Sequence, residues 1–212
     1  MSDIQIKICG VKNHEIAKHA IDAGANFIGF IFYEKSHRNI TIDNCEQILS
    51  EIKDLTIPVA VTVNPDDNLL DDLLRIGFQY IQLHGQETPE IVERIKLKYD
   101  FKIIKAFGIS SYEDIDVLVK YEPFVEYFLL DSPPQADNQG GTGHRFDWKI
   151  IENLSIAKNF FLSGGLNKDN IISAINLKKT CCFDVSSGVE DSEGIKDKQL
   201  ITEFIHKAKN II

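Results

Sequence analysis

The sequence predicts an α/β fold, a single (β/α)8 TIM barrel, from two observations. Short apolar runs of strand length alternate with amphipathic helical patterns, which is typical of βαβ units and a parallel sheet. Eight such runs within 212 residues fit a compact barrel, and no linker or composition break divides residues 1–212 into more than one domain. The runs are Ile4–Cys9, Phe27–Phe32, Val59–Val63, Tyr80–Leu83, Lys102–Ala106, Tyr127–Leu130, Asn159–Leu162 and Cys182–Val185.

Helical periodicity is clearest in three of the segments between these runs. Asn13–Ala23, Pro65–Ile76 and Asp197–Ile212 each carry apolar residues three and four positions apart, which places those side chains on one face of a helix. A further helix is expected to begin near Phe146, after a segment that contains prolines and glycines. The pattern therefore supplies helices to cover the outside of a barrel.

The first run divides into an apolar and a polar face, because side chains alternate across a strand. The apolar face is expected to pack on the helices and the polar face to point into the barrel. The apolar face consists of Ile4, Ile6 and Ile8. The polar face consists of Gln5, Lys7 and Cys9. Because barrel interiors favour branched apolar side chains, polar ones near strand ends indicate a site. The alternative is that the polar groups pair with one another inside the barrel.

The composition argues against several classes of protein. A net charge of -9 without a basic cluster is unfavourable for binding nucleic acid. No apolar run approaches the roughly 18 residues that span a membrane, and the first residues have no signal-peptide layout. The four cysteines lack metal-ligand spacing and are interpreted as reduced thiols. We therefore expect a cytoplasmic monomer or homodimer with no nucleic-acid or membrane partner.

Two residues at strand ends are candidates for proton transfer. Asp131 follows the sixth run and precedes the glycine-rich segment Gly140–Gly143. Ligands bind to barrels at this end of the strands, where long loops often act as lids; the alternative is an aspartate that caps a turn. Cys9 ends the first run, and Lys7 on the same face would favour its thiolate. The alternative for Cys9 is a small buried hydrophobic residue.

Glycine-rich turns after the seventh and eighth runs predict a phosphate site. Loops at these two positions of a barrel frequently hold phosphate, because glycine lets backbone N–H groups approach a ligand. Simple turns are the alternative. The residues concerned are Gly164, Gly165, Asp184, Ser186, Ser187 and Gly188.

Two further residues could bind a substrate near the other strand ends. Arg38 has a planar fork suited to a carboxylate, or is a solvated loop charge. His84 could donate to a ligand, or be a satisfied core histidine. Together with the candidates above, these residues fit acid–base isomerisation of a small phosphorylated sugar with a second anionic group. The sequence has neither a cluster with the spacing of a metal site nor a GxGxxG dinucleotide fingerprint.

At these residues the sequence resembles the phosphoribosylanthranilate isomerase family of tryptophan biosynthesis. The matching motifs occur in the family's order and span essentially the whole chain, which makes the set highly specific. They are Lys7-Ile8-Cys9-Gly10, Lys35-Ser36-x-Arg38, Gln82-Leu83-His84-Gly85, Leu130-Asp131-Ser132, Gly140-Gly141-Thr142-Gly143, Phe146-Asp147-Trp148, Leu162-Ser163-Gly164-Gly165-Leu166 and Asp184-Val185-Ser186-Ser187-Gly188-Val189-Glu190.

The resemblance implies an Amadori rearrangement of N-(5′-phosphoribosyl)anthranilate, with no metal or organic cofactor. It implies that Asp131 is the general acid for the ring oxygen and that Cys9 is the general base for the C2′ proton. Arg38 corresponds to the residue that holds the anthranilate carboxylate. The phosphate cradle corresponds to the backbone at Gly164–Gly165 and around Ser187–Gly188. The loop that carries Gly141 corresponds to a lid that closes over the substrate.

The second loop departs from the family pattern, because Glu34 and His37 stand where the family often has proline. This change predicts a more mobile loop and, if Glu34 points inward, weaker binding of an anionic substrate. Other readings are a relative of indole-glycerol-phosphate synthase, a pentose-phosphate epimerase, a histidine-pathway isomerase and a non-catalytic phosphosugar-binding barrel. The first would be expected to have a lysine acid, the second paired aspartates with metal-binding histidines, and the third an aspartate in place of Cys9. The fourth would need neither Cys9 nor Asp131.

Overall fold

Eight parallel strands close into a barrel in chain order in the structure, a computed structural model that describes residues 3–133, 148–152, 156 and 158–209. The strands are β1 (Gln5–Cys9), β2 (Phe27–Phe32), β3 (Ile57–Thr62), β4 (Tyr80–Leu83), β5 (Lys102–Gly108), β6 (Tyr127–Asp131), β7 (Phe160–Leu162) and β8 (Cys182–Val185). The barrel closes where β1 pairs with β8, in a register that sets Lys7 opposite Asp184. The predicted (β/α)8 barrel is therefore confirmed.

Helices follow the strands and cover the barrel. They are α1 (His14–Ala23), α2 (Ile42–Ile52), α3 (Asp67–Arg75), α4 (Pro89–Tyr99), α5 (Glu113–Asp116), α6 (Lys149–Glu152), α7 (Ile171–Asn176) and α8 (Lys198–Lys209). A short hairpin of β9 (Glu190–Ser192) and β10 (Ile195–Lys196) lies between β8 and α8. In the part of the chain that the structure describes, we find no helix with the length and apolarity to cross a membrane.

Side-chain caps fix where four of the helices begin. Asn13, Thr41, Asp66 and Thr88 each accept a hydrogen bond from the backbone N–H three residues further on. Such a bond satisfies one of the N–H groups that the first turn of a helix leaves without a partner. It explains why α3 begins at Asp67 rather than at the predicted Pro65, since Asp66 is the cap and lies outside the helix.

The predicted bounds of β2, β4 and β8 agree with the structure, and the others differ at their ends. β3 begins at Ile57 and includes Pro58, which the prediction left out because proline cannot donate to a strand ladder. Pro58 is the second residue of the strand, so the cost is confined to one missing donor near its start. The predicted helix start at Phe146 lies outside the described residues, within which α6 begins at Lys149.

The apolar core has an outer and an inner part, as the two faces of the first strand predict. Ile6 and Ile8 are buried between the barrel and its helices, whereas Cys9 belongs to a smaller cluster inside the barrel. The inside cluster is bulkiest where aromatic rings meet, in a group that we term the aromatic plug. The aromatic plug consists of Phe27, Tyr80, Tyr127 and Phe161. The rings of the last three pack on the ring of Phe27, with centroid distances of 5.1 to 6.4 Å.

The aromatic plug fills the end of the barrel at which the strands begin. Phe27, Tyr80 and Tyr127 are the first residues of their strands. Shorter and polar side chains are left for the opposite end, where the strands terminate. The packing therefore leaves room for a cavity at the C-terminal ends of the strands.

Candidate active site

A cavity opens at the C-terminal ends of the barrel strands. Most of the predicted site residues line this one cavity, although they come from six segments of the chain. They are Cys9, Arg38, His84, Asp131, Gly164, Gly165, Asp184, Ser186 and Ser187. Gly141 lies outside the described residues. Gly188 is not among the described residues that line the cavity.

A buried ion pair joins the first and last strands beneath the cavity. Lys7 has no solvent exposure, and its Nζ donates to Asp184 Oδ1 at 2.8 Å. Ser163 Oγ donates to the other oxygen of the same carboxylate at 3.2 Å. Burial alone would lower the pKa of Lys7, but the charge of Asp184 and the proximity of Cys9 outweigh it and raise the pKa. The polar groups inside the barrel thus pair with one another and also line a site.

Cys9 lies at the bottom of the cavity and is 5% exposed. Its Sγ occupies space beside Gly29, where a Cβ atom would come within 3.0 Å of the sulfur. Burial raises the pKa of the thiol, Lys7 opposes this effect, and Asp184 adds to it, so the pKa lies above the usual value. The prediction that Lys7 favours the thiolate is correct in sign, but Lys7 does not cancel the effect of burial.

Asp131 is a carboxylic acid whose pKa is raised to about 7. Burial is the main cause, repulsion from Asp184 adds to it, and the N–H of Ser132 and the charge of Lys7 oppose it. The Ser132 N–H donates to Asp131 Oδ1 at 2.7 Å. A carboxyl group with this pKa carries a proton in a large fraction of molecules at neutral pH, which is what a general acid requires.

His84 is neutral and faces Asp131. Burial, Lys105 and Lys7 lower the pKa of His84 to about 4, so it forms no ion pair with Asp131 at neutral pH, although Nε2 lies 3.7 Å from Oδ2. The amide Nε2 of Gln82 donates to His84 Nδ1 at 2.9 Å, which leaves the imidazole proton on Nε2, towards Asp131. His84 is therefore a neutral donor beside the acid.

Gln82 was not predicted to be a site residue, although strand alternation placed its side chain inside the barrel. It lines the cavity and is 1% exposed. Its Oε1 is buried and accepts no hydrogen bond from the described residues. Because a buried polar atom normally has a partner, this oxygen is suited to accept a hydrogen bond from a ligand.

Arg38 lines the cavity but is not an isolated charge. Its Nε and Nη2 donate to the two carboxylate oxygens of Glu190, both at 2.7 Å, and Lys196 Nζ lies 2.5 Å from Glu190 Oε1. Neither Glu190 nor Lys196 was predicted to lie near Arg38, because each is more than 150 residues away from it in the sequence. The aliphatic part of Arg38 packs on Gly10, where φ is +81° and a Cβ atom would come within 2.8 Å of Arg38 Cδ.

The glycine-rich loops after β7 and β8 pack tightly on their neighbours. Gly164 and Gly165 have φ angles of +79° and +71°, which favour glycine. A Cβ atom on Gly164 would come within 2.6 Å of the Ser132 backbone nitrogen. A Cβ atom on Gly188 would come within 1.9 Å of the Leu166 carbonyl oxygen, so Gly188 lets the two loops touch. Gly188 thus has a packing role between the two loops that are predicted to bind phosphate.

The second loop keeps its departures from the family pattern away from the cavity. Glu34 is exposed and does not line the cavity, so the condition for weaker binding, a Glu34 carboxylate that points inward, is not met. The carbonyl of His37 accepts a hydrogen bond from Lys12 Nζ at 2.9 Å. Among the residues with a described position, no group of histidine, cysteine, aspartate and glutamate side chains could hold a metal ion.

A buried acid, a neighbouring thiol and an arginine at the C-terminal mouth of a parallel barrel define a (β/α)8-barrel enzyme. A sequence profile of N-(5′-phosphoribosyl)anthranilate (PRA) isomerase matches residues 6–207. N-(5′-phosphoribosyl)anthranilate isomerase from Caulobacter sp. (strain K31) is 37% identical over 98% of this chain and 100% of its own length. The counterpart from Brucella canis is 40% identical over 95% of this chain and 92% of its own. The chain therefore belongs to the PRA isomerase family, and it is an isomerase.

Solved structures agree with this assignment. Phosphoribosyl anthranilate isomerase from Thermotoga maritima has a TM-score of 0.86 at 35% identity, over 98% of this chain and 100% of that one. A PRA isomerase in complex with reduced 1-(o-carboxyphenylamino)-1-deoxyribulose 5-phosphate has a TM-score of 0.84 at 34% identity, with the same coverage. A further Thermotoga maritima structure, of monomers generated from a dimeric enzyme of this name, has a TM-score of 0.83 at 33% identity and the same coverage.

Proposed function

We propose that this chain converts N-(5′-phosphoribosyl)anthranilate into 1-(2-carboxyphenylamino)-1-deoxyribulose 5-phosphate, with Asp131 as general acid and Cys9 as general base. The observation that carries the proposal is that both residues line one cavity, with the pKa of Asp131 near 7. Membership of the PRA isomerase family and the ligand of a solved relative support the choice of substrate.

The reaction requires two proton transfers that these residues can perform. Asp131 donates its proton to the ring oxygen as the C1′–O bond breaks, and the nitrogen lone pair forms the C1′=N bond of a protonated Schiff base. Because the pKa of Cys9 is raised, the base is the minor fraction of molecules in which its thiol is ionised. The thiolate of Cys9 then removes the proton from C2′, and that electron pair forms C1′=C2′ while the nitrogen becomes neutral. The resulting enaminol becomes the ketose when the 2′-hydroxyl proton is lost and C1′ gains one. The atoms and electrons balance without an external oxidant or reductant.

The substrate's two anionic groups match the two ends of the cavity. The backbone at Gly164, Gly165 and Ser187 is suited to the phosphate, because N–H groups in glycine-rich loops bind anions. Arg38 is suited to the anthranilate carboxylate, for which its remaining donor, Nη1, is available. His84 Nε2 and Gln82 Oε1 provide a donor and an acceptor for the hydroxyl groups of the sugar.

Turnover of freshly prepared N-(5′-phosphoribosyl)anthranilate, followed by the loss of its fluorescence, tests the proposal. Cys9→Ala and Asp131→Asn are each expected to lower kcat by at least about 10²-fold. Cys45→Ala is a matched control, because Cys45 is buried in the outer core and does not line the cavity. Binding without turnover by the wild type would indicate a binding protein or another phosphosugar substrate. Full activity of Cys9→Ala would return Cys9 to the role of a small core residue.

A further inference from the structure

Three charged side chains form a buried cluster at one side of the cavity, and only one of them lines it. Arg38 lines the cavity, whereas Glu190 and Lys196 are not among the described residues that do. The side chains of Glu190 and Lys196 are only 4% and 2% exposed. Because removing a charge from water is costly, two buried charges that do not face the cavity call for an explanation. We refer to Arg38, Glu190 and Lys196 as the carboxylate cluster.

The first feature of the carboxylate cluster is that the plane of the guanidinium is fixed. Glu190 receives both Nε and Nη2 of Arg38 at 2.7 Å, and such a bidentate contact sets the orientation of the fork. The stem of Arg38 is held against Gly10. No residue of the described chain accepts a hydrogen bond from Nη1. The part of the fork that remains for a ligand is therefore defined before the ligand arrives.

The second feature is the charge balance. Arg38 and Glu190 together are neutral, and a neutral pair attracts a carboxylate only weakly. Burial lowers the pKa of Lys196, and the charge of Glu190, whose Oε1 lies 2.5 Å from Lys196 Nζ, opposes this effect. A protonated Lys196 returns one net positive charge to the cluster. Lys196 Nζ also donates to the backbone oxygen of Ser186 at 3.0 Å, and Ser186 Oγ donates to the backbone oxygen of Cys9 at 3.1 Å. The cluster is thus connected to the strand end that carries the proposed base.

We propose that the carboxylate cluster acts as one unit, in which Glu190 orients Arg38 and Lys196 supplies the net charge that selects a substrate with an aryl carboxylate. This inference rests on the proposed function, because it assumes that Arg38 contacts the anthranilate carboxylate. Glu190 and Lys196 are positioning residues, since they act through Arg38. The cluster therefore sets specificity between substrates that carry the carboxylate and otherwise identical ones that lack it.

A pair of ligands isolates this property. One is reduced 1-(2-carboxyphenylamino)-1-deoxyribulose 5-phosphate, and the other is the same compound without the ring carboxylate. Calorimetric titration of both ligands gives the ratio of their dissociation constants, which we term the carboxylate preference. A variant that is partly unfolded lowers the fraction of binding sites for both ligands but leaves this ratio unchanged. The ratio therefore reports selection and not stability.

Variants of Glu190 and Lys196 are expected to lower the carboxylate preference in both cases, although one variant raises the net charge of the cluster and the other lowers it. Lys196→Met is expected to lower the carboxylate preference about tenfold, and Lys196→Arg to retain it. Glu190→Gln raises the net charge of the cluster, yet it is also expected to lower the preference about tenfold, because the bidentate contact is lost. Affinity for the ligand without the carboxylate is expected to stay within about twofold in each variant. Exposed neighbours, tested as Glu193→Gln and Lys198→Met, are controls that should leave the preference unchanged.

Each alternative outcome has a distinct meaning. If Arg38→Ala does not change the carboxylate preference, the proposed contact of Arg38 with the substrate is wrong, and this inference fails with it. If Arg38→Ala abolishes the preference while Lys196→Met leaves it intact, only the charge role of Lys196 is overturned. If Glu190→Gln raises the preference, the net charge alone governs binding, and the orienting role of Glu190 is overturned.

Discussion

At the scale of single residues, two aspartates that line the cavity differ in their partners. Asp184 contacts the ammonium group of Lys7. Asp131 has no such partner among the described residues, and burial together with repulsion from Asp184 raises its pKa to about 7. Asp184 therefore helps to keep the proton on Asp131, the proposed general acid.

Asp131→Asn is expected to stabilise the protein in a manner that depends on pH. The folded-state pKa of about 7 lies above the unfolded value of about 3.9, so ionisation of Asp131 costs the folded state free energy. This cost is absent below about pH 4, grows as the pH rises towards 7, and is fully present above it. Urea unfolding of both proteins at pH 4 and pH 8 should show a gain of about 4 kcal/mol at pH 8 only.

The outcome that would contradict this assignment is an equal effect of Asp131→Asn at both pH values. Such a result would mean that Asp131 titrates normally in the folded protein. Asp116→Asn is a suitable control, since Asp116 lies in α5 and does not line the cavity. Its effect on unfolding is expected to be small and the same at pH 4 and pH 8.

At the scale of elements, sequence patterns predicted where the strands lie. They did not predict which side chains form contacts with the residues that follow the strands. Apolar runs gave the bounds of β2, β4 and β8, because a strand that is buried on both faces is largely apolar. The bidentate contact of Arg38 with Glu190 was not predictable, because it depends on the closed barrel and on the β9–β10 hairpin. Local patterns report burial, whereas side-chain partners depend on which chain segments meet.

The glycine-rich loops illustrate the same division between pattern and contact. The sequence indicated glycines beside a ligand after β7 and β8. The structure places Gly164 and Gly165 on the cavity, but Gly188 against the carbonyl of Leu166. A glycine that admits a ligand and one that admits a neighbouring loop look identical in a sequence. Only the spatial arrangement of the two loops distinguishes them.

Gly188→Ala is expected to separate these two loops. Its Cβ would come within 1.9 Å of Leu166 O, a backbone atom that cannot move without shifting the loop after β7. We expect at least a tenfold rise in KM, because the backbone proposed to bind the phosphate is displaced, together with a stability loss of about 1 to 3 kcal/mol. Steady-state kinetics and urea unfolding measure the two effects.

Gly77→Ala provides the comparison for this prediction. Gly77 has a φ of +99° but no atom within 4 Å of an added Cβ, so this change strains the backbone without displacing a neighbour. It is expected to cost about 1 kcal/mol of stability and to leave KM unchanged. If Gly188→Ala behaves in the same way, the loops are not held apart by the added methyl group.

At the scale of the whole molecule, stability and chemistry are concentrated at opposite ends of the barrel. The aromatic plug fills the end where the strands begin, and the cavity occupies the end where they terminate. Phe161→Leu, in the plug, is therefore expected to lower the free energy of unfolding by about 1 to 2 kcal/mol and to leave kcat and KM within twofold.

The measurement for Phe161→Leu is a urea titration with an unchanged m value, combined with steady-state kinetics. The unchanged m value would show that the variant unfolds from an equally compact state. Leu162 is the next residue along β7 and packs in the outer core, which makes Leu162→Ala a second perturbation of stability on the other face of the strand. A large fall in kcat for Phe161→Leu would show that the plug also shapes the cavity.

The closure of the barrel by β1 and β8 has a consequence for how the enzyme is made. Lys7 and Asp184 are 177 residues apart, and Arg38 and Glu190 are 152 apart. During translation, Lys7 and Arg38 are synthesised early, whereas their partners Asp184 and Glu190 are synthesised near the end of the chain. A polypeptide released before β8 would have an open strand edge on β1, which favours aggregation, and no complete active site. Incomplete chains are therefore expected to be inactive, so that catalytic activity requires the last strand of the barrel and the hairpin that follows it.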